Sequence, residues 1–277
     1  MAVYTALERQ EVEAFIKLFG IGPLIDYEGV ADGIENTNYF ISTDQSTLSS
    51  ELQTEPTRHF VLTIFETVTA KQLEAVVELT SLLNLRKLPV PCPLKDANGV
   101  AIQTLSGKPA LLIDRLPGEH VYQPNQQQCF VVGRTLATVH KVCMKANLQH
   151  QDNHILTWLE QRISDVSQVL DKTDKKLLSE VTHFQQLIKE HLELSQGIIH
   201  GDLFRDNVLF VGDTLTGLID FNSASNGYLL FDLAVVINDW CSEESGYLAF
   251  QCERREGVDS HYIVETVLTT AHRLHCW

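Results

Sequence analysis

The sequence predicts an α+β protein of two lobes, an N-terminal antiparallel sheet with one packed helix and a mainly helical C-terminal lobe. Three observations lead to this prediction. Residues 24–66 alternate segments rich in β-formers with polar loops. Residues 126–145 and 173–194 carry apolar side chains at helical spacing, and Pro and Gly interrupt the stretch at 116–124 before them. The 277 residues are enough for two lobes, which we predict at 1–116 and 117–277.

The N-terminal elements follow from periodicity. Residues 8–19 carry apolar side chains at helical spacing and predict a first helix. Short strands are expected at 24–30, 38–42 and 59–66, most simply as three antiparallel strands around the polar loop 31–37.

A second helix and further strands complete this lobe. A capping box and an amphipathic pattern predict a helix over residues 70–86. The Asn98-Gly99 pair is a turn signal and predicts a hairpin between residues 93–97 and 100–105. Another apolar strand is expected at 109–116.

The charge balance narrows the classes of partner. The chain has 21 Lys and Arg against 36 Asp and Glu, a formal net charge of −15. Such a field repels phosphate backbones and anionic lipid, so we expect no nucleic-acid and no membrane partner. An anionic nucleotide would need local positive groups, backbone N–H donors or a metal, and we expect Mg²⁺.

The N-terminus and the cysteines indicate the compartment. Residues 8–13 contain four charged side chains where a signal peptide needs an apolar stretch. The six cysteines are scattered without a CxxC pair, which argues against a zinc site or a disulfide framework. We therefore expect a cytoplasmic protein with reduced thiols.

The stretch richest in chemistry is IIHGDLFRDNVLF at residues 198–210, followed by LIDF at 218–221. Asp202 and Asn207 are five apart, and Asp220 lies eighteen beyond Asp202, a spacing that matches the HxDLxxxN loop and metal-binding Asp of kinases. Phosphoryl transfer needs positioning and charge neutralisation more than covalent participation. Asp202 is therefore the candidate catalytic base, and Asn207 and Asp220 are the candidate Mg²⁺ ligands.

The residues around this motif can support the loop or have an ordinary structural role. Asp or Asn in a loop can simply cap turns, although three such residues at kinase spacing argue against that explanation. His200 is expected to brace the loop. Asp232 either holds the loop through hydrogen bonds or caps the helix that begins beside it. His140 is expected to be a buried histidine with satisfied bonds, and Cys241 a small hydrophobe in the core.

Several motifs in the sequence resemble those of a known protein family. HGDLFRDN, GLIDF and FDLA, with GRTLATVH upstream, resemble the aminoglycoside phosphotransferase and choline kinase superfamily. This resemblance implies a two-lobed protein-kinase-like fold. Within the superfamily, MAVYTALER, GVADGIENTNYFIST, FVLTIFE and GKPALL resemble the bacterial homoserine kinases, over about residues 1–250. That branch implies transfer of the ATP γ-phosphoryl group to the hydroxyl of L-homoserine, giving O-phospho-L-homoserine for threonine synthesis.

The resemblance also implies where the nucleotide binds. It assigns residues 113–116 to the hinge whose backbone meets adenine, and we single out Ile113, Asp114 and Leu116. The chain departs from the protein-kinase pattern at the third strand, where Thr63 replaces Lys, and it has no GxGxxG loop.

Another anchor for the phosphates is therefore needed. We expect the loop 31–38 to cover them, with Gly33 permitting close approach and Asn36, Thr37 or Asn38 donating hydrogen bonds. The alternative is a plain polar hairpin.

The acceptor would require a cation for its carboxylate. Arg205 is the candidate, and the alternative is an ordinary ion pair, for example with Asp206. Two other functions stay open at this point. One is a related kinase acting on an aminoglycoside, choline or methylthioribose, and the other is a catalytically silent binding module, suggested by the missing Lys. From Gln251 the sequence fits the family poorly, and we expect the chain to be truncated or altered there.

Overall fold

The computed structural model describes residues 4–31, 35–46, 56–146, 148, 150, 162, 165, 169–191 and 194–241. The first part of the chain forms a five-stranded sheet and two helices. The strands are β1 (Leu24–Gly29), β2 (Thr37–Asp44), β3 (Thr57–Ile64), β4 (Gln103–Leu105) and β5 (Lys108–Asp114). The helices are α1 (Arg9–Lys17) and α2 (Ala70–Leu85).

The sheet has the strand order β1-β2-β3-β5-β4, and all its neighbours are antiparallel. The prediction of three antiparallel strands is confirmed, as are both helices. The capping box at the start of α2 is also present, since the Thr69 side chain accepts a bond from Gln72 N and Gln72 bonds back to Thr69.

The hairpin predicted at Asn98-Gly99 is wrong. Residues 93–97 contribute only an isolated bridge from Pro93 to Ile113, and β4 pairs with β5 instead. The Asn98-Gly99 pair forms a turn within a loop, because Asp96 Oδ1 accepts bonds from Asn98 N and Val100 N at 2.9 and 2.8 Å.

The two faces of the sheet have different surroundings. Alternate residues of β2 and β3 are buried, and those buried residues form one core with α1. The opposite face, which we call the open face, carries Asn38, Phe40, Val61, Thr63 and Ile113. Phe40 pairs with Val61 and Val61 with Ile113, so these three side chains form a row across the sheet.

The described C-terminal part holds three helices and two small sheets. The helices are α3 (Gln126–Ala146), α4 (Lys172–His191) and α5 (Leu229–Trp240). Strand β6 (Gln196–Ile199) pairs with β9 (Ser225–Tyr228), and β7 (Val208–Val211) pairs with β8 (Thr214–Leu218). The α+β composition predicted from the sequence is confirmed.

A second core joins the two parts of the chain. Buried side chains of α2 belong to the same cluster as those of α3 and α5. Burying this shared apolar surface stabilises the packing of α3 and α5 against α2. The predicted lobe boundary at residue 116 stays a prediction. None of the described helices has the length and apolar character needed to cross a membrane.

Candidate active site

The predicted catalytic motif forms a loop between β6 and β7. It begins at His200 and ends in a short 3-10 helix, Arg205–Asn207. Gly201 has φ +82°, and a Cβ at this position would lie 2.6 Å from Ser223 O. Only glycine fits such a close approach without strain, so the backbone itself defines the shape of the loop.

Asp202 and Asn207 are joined directly. The Asn207 side chain is buried, and its Nδ2 donates to Asp202 O at 2.7 Å and to Asp202 Oδ2 at 3.0 Å. Both amide hydrogens therefore bind Asp202. The Asn207 Oδ1 atom is left as the group able to coordinate a cation.

Asp220 follows β8 and lies beside the same loop. The backbone N of Ile219 donates to Asn207 O at 3.0 Å, which ties the two segments together. Asp220 has φ +61°, and its Oδ1 accepts a bond from Asn222 Nδ2 at 2.6 Å. The structure thus brings together all three residues that the kinase spacing singled out.

The electrostatics of this site favour a bound cation. Burial raises the pKa of Asp202 to about 6, and the charges of Asp220, Asp206 and Glu35 add to that effect, while the bond from Asn207 opposes it. A cation among these carboxylates would relieve the repulsion.

The oxygen atoms present suit Mg²⁺. Among the described residues no group of three or more His, Cys, Asp or Glu side chains is arranged to hold a metal. Mg²⁺ commonly takes one or two side-chain oxygens and completes its shell with phosphate and water. Asn207 and Asp220 together fit that requirement.

His200 braces the loop, as the sequence suggested. It is buried, with its Nε2 at 3.0 Å from Ile219 O and its Nδ1 at 3.3 Å from Asp202 N. The carbonyl requires an Nε2–H donor and the amide requires an Nδ1 acceptor, so the ring is the neutral Nε2–H tautomer. Burial also lowers the pKa of His200, which favours the same neutral form.

Asp232 holds the loop by accepting hydrogen bonds from its backbone. It is fully buried in α5, where Oδ2 accepts from His200 N and His140 Nε2 and Oδ1 accepts from Gly201 N, each at 2.8 Å. Burial alone would raise its pKa, but these bonds and the nearby histidines lower it. Of the two interpretations of Asp232, the loop-holding one is therefore correct. His140 is the satisfied buried histidine that we expected.

Arg205 is held by groups of its own protein. Its backbone N donates to Asp239 Oδ2 at 2.7 Å, its Nη2 lies 3.2 Å from Asp239 Oδ1, and its Nη1 donates to the Tyr122 carbonyl. The ion-pair partner is thus Asp239 rather than Asp206. No local sequence pattern links residues 34 apart, so this contact could not have been found without the fold. Other guanidinium N–H groups are left to bind an acceptor, and that role stays a prediction.

The predicted phosphate loop is described only in part. Gly33 lies outside the described residues. Asn36 is buried, and its Oδ1 has no partner among the described residues. Asn38 Oδ1 accepts from Thr63 Oγ1 at 2.7 Å, which leaves the Asn38 amide group as a donor on the open face. Glu35 lies close enough to Asp202 to influence its pKa, so this loop approaches the catalytic loop.

Thr37 does not fit its predicted role. Its side chain is fully buried on the α1 side of β2. Its Oγ1 accepts from Tyr4 N and Thr5 N at 2.9 and 3.1 Å and donates to Glu66 Oε1 at 2.7 Å. The hydroxyl is therefore not available to a nucleotide phosphate.

The predicted hinge lies at the end of β5. Ile113 is on the open face, whereas the Asp114 side chain forms an ion pair with Arg58. The ladder with β3 ends at the bond from Arg115 N to His59 O, so Leu116 lies past the ladder.

Sequence reasoning missed two residues beside this hinge. The Arg115 guanidinium lies 3.9 Å from the centroid of the Phe40 ring. The alternation along β2 could have placed Phe40 on the same face as Asn38.

Comparison with known sequences identifies close relatives. A model of the phosphotransferase enzyme family matches residues 26–261. Homoserine kinase from Pseudomonas aeruginosa (strain LESB58) is 38% identical over 249 residues, which cover 90% of this chain and 75% of the relative. Homoserine kinase from Methylobacillus glycogenes is 34% identical over 246 residues, covering 89% of this chain and 73% of the relative.

Solved structures show the same fold at low identity. Amicoumacin kinase hAmiN in complex with AMP-PNP, Ca²⁺ and Ami has a TM-score of 0.64 at 15% identity, covering 97% of this chain and 78% of that chain. Spectinomycin phosphotransferase APH(9)-Ia in complex with ADP and spectinomycin has a TM-score of 0.62 at 12% identity, covering 84% and 74%. The protein-kinase-like fold predicted from the sequence is thereby confirmed.

Proposed function

Because this chain belongs to the phosphotransferase enzyme family and its relatives include homoserine kinases, we propose that it phosphorylates L-homoserine at its hydroxyl, using ATP. The products are O-phospho-L-homoserine and ADP. The observation that best supports phosphoryl transfer as the reaction is the hydrogen-bonded pair Asp202 and Asn207 beside Asp220. The choice of L-homoserine as the acceptor rests on the similarity to homoserine kinases. ATP and amino acids occur together in the cytoplasm, which is the location we propose.

Asp202 is proposed as the catalytic base. One of its oxygens accepts from Asn207, which fixes the carboxylate and leaves Oδ1 to accept the proton of the substrate hydroxyl. With a pKa of about 6, this carboxylate is ionised in most molecules at neutral pH. It is also a stronger base than an ordinary aspartate, which helps it to take a proton from an alcohol.

Asn207 and Asp220 are proposed to hold Mg²⁺ through their side-chain oxygens. When bound, the cation neutralises charge on the transferring phosphoryl group. Asp220 is positioned by its bond to Asn222, and Asn207 by its two bonds to Asp202, so both ligands are oriented before any cation binds.

The nucleotide is proposed to lie along the open face of the sheet. Ile113, Phe40 and Val61 would supply an apolar surface for the adenine ring, with the backbone at Asp114 and Leu116 meeting its polar edge. Asn36 and Asn38, with Gly33, are proposed to meet the phosphates.

Arg205 is proposed to bind the acceptor carboxylate. Asp239 and the Tyr122 carbonyl restrict the guanidinium to one orientation, so little side-chain entropy is lost when a carboxylate binds. A matched carboxylate and guanidinium make paired hydrogen bonds, which a choline or an aminoglycoside cannot provide. This feature favours an amino acid over those alternative acceptors.

The test is ADP release from Mg-ATP with L-homoserine, beside L-serine, choline and kanamycin as alternative acceptors. We expect turnover with L-homoserine that far exceeds turnover with the other three. Turnover only with another acceptor would refute the substrate and keep the reaction type. No turnover with any acceptor, although ATP binds, would favour the silent binding module.

A further inference from the structure

Two half-buried cysteines meet beside the catalytic loop. Cys129 lies in the first turn of α3, and Cys241 directly follows α5. The Cys129 sulfur lies 3.2 Å from the carbonyl oxygen of Trp240, the residue before Cys241, so its one proton can be given either to that oxygen or to the Cys241 sulfur. Both side chains also pack against the core cluster shared by α2, α3 and α5. The expectation that Cys241 is only a small core hydrophobe therefore omits its cysteine neighbour.

The two thiols affect each other's ionisation. Hydrogen bonding with Cys241 and burial raise the pKa of Cys129, so this thiol keeps its proton. The contact with Cys129 lowers the pKa of Cys241 to about 7. A thiolate is the reactive form of cysteine, and Cys241 is the partner of this pair that forms it more readily.

We propose that Cys129 and Cys241 form a reversible dithiol oxidation site that responds to a peroxide. The Cys241 thiolate attacks one peroxide oxygen, the O–O bond breaks, and a sulfenic acid and hydroxide form. Cys129 then loses its proton and attacks the Cys241 sulfur, so the S–O bond breaks and hydroxide leaves. In total, two thiols and one H₂O₂ give one disulfide and two waters. An external dithiol returns both electrons and both protons.

The place of this pair links oxidation to the active site. Asp239, two residues before Cys241, holds the backbone N of Arg205 at 2.7 Å. A disulfide brings its sulfurs to about 2.05 Å, closer than thiols in hydrogen-bonding contact. The end of α5 must then move towards α3, and Asp239 moves with it. Displacing an aligned group by about 1 Å can cost 10²-fold in rate, so we expect oxidation to lower phosphoryl transfer about tenfold or more. This second part rests on the proposed function.

The experiment treats the full chain with hydrogen peroxide and follows it by peptide mass mapping and by homoserine-dependent ADP release. We expect a cross-linked peptide pair containing Cys129 and Cys241, with the loss of two hydrogen atoms. Dithiothreitol should reverse the link and restore the rate. Cys129→Ser and Cys241→Ser should each abolish the link and the reversible loss of rate. Cys92→Ser is the matched control, because Cys92 is half-buried but its sulfur contacts Ser81 and the Pro93 carbonyl instead of a thiol.

The peptide mass map tests whether the disulfide forms, and the rate of ADP release tests whether the disulfide affects the active site. A parent protein without the Cys129 to Cys241 link, or with another pairing in its place, would overturn the oxidation site. A link formed at an unchanged rate would overturn its coupling to Arg205. If the untreated parent showed no kinase activity, the proposed function would fail, and the peptide map would still decide whether the oxidation site exists.

Discussion

Replacing Asp202 by Asn should abolish most activity and at the same time stabilise the protein. The amide keeps the size of the side chain, and its oxygen can still accept from Asn207 Nδ2. It cannot take a proton from the substrate hydroxyl. Positioned general bases contribute about 10²- to 10⁴-fold, so we expect kcat to fall about 10³-fold.

The gain in stability follows from the raised pKa. A pKa of about 6 in the folded protein, against 3.8 for an ordinary aspartate, corresponds to about 3 kcal/mol. Because this carboxyl is only partly buried, solvent screening reduces the expected gain to about 1 kcal/mol.

The stability gained by Asp202→Asn depends on pH. A carboxyl whose pKa is raised by folding costs stability only where it is ionised in the folded protein. The gain from Asp202→Asn is therefore full above pH 7, falls to about half at pH 5, and vanishes below the ordinary value near pH 4.

Two measurements test this reasoning. ADP release with L-homoserine gives kcat, and urea unfolding at pH 7.5 and pH 5 gives the free energy of unfolding. Asp206→Asn is the matched control, since Asp206 is an exposed neighbour in the same loop, and this variant should keep its activity. An Asp202→Asn protein within tenfold of the parent kcat, or less stable than the parent at pH 7.5, would contradict our account.

Three further predictions concern the parts that support the loop. Gly201→Ala should cost far more stability than Gly99→Ala. Both glycines have φ near +80°, but only a Cβ at position 201 would meet another backbone segment. Equal losses of melting temperature in the two variants would contradict this. Asp232→Asn should lower the free energy of unfolding, measured by urea titration, by about 3 kcal/mol, because its amide NH₂ would face a buried N–H donor. The control Asp213→Asn, at an exposed site, should change this free energy little. Arg205→Lys should raise the KM for L-homoserine about tenfold or more and leave the KM for ATP unchanged; steady-state kinetics in which both constants rise equally would count against a carboxylate-binding role.

The chemical core of the site could be predicted because it is local. Asp202 and Asn207 belong to one loop, and β8 brings Asp220 back beside it. The residue types and their spacing thus determine the geometry almost alone. Asp239 shows the opposite case, since its contact with Arg205 depends on how α5 packs, which no local pattern encodes.

Two errors have physical explanations. Asn98-Gly99 is a strong turn signal, but the tight Ser106-Gly107 turn, with φ +49° and +77°, pairs β4 with β5 and leaves the first turn inside a loop. Thr37 lies at the end of a polar stretch of the sequence, and this position favours the phosphate contact that we predict from the sequence. Its alternation with Tyr39 in β2 places its hydroxyl on the α1 side, and this signal was present in the sequence.

The threonine at position 63, where protein kinases carry lysine, affects which reactive nucleotide analogues could label this protein. In kinases that carry lysine here the amine pairs with the nucleotide phosphates, so an acylating group on those phosphates would meet a nucleophile. Here a hydroxyl bonded to Asn38 takes that position, and among the described strand residues of the open face none is a lysine. Lys108 belongs to the other side of the sheet, where it is paired with Glu66. Among the described strand residues of the open face an amine-reactive nucleotide would therefore find no lysine to modify, whereas a photoreactive adenine analogue does not require one.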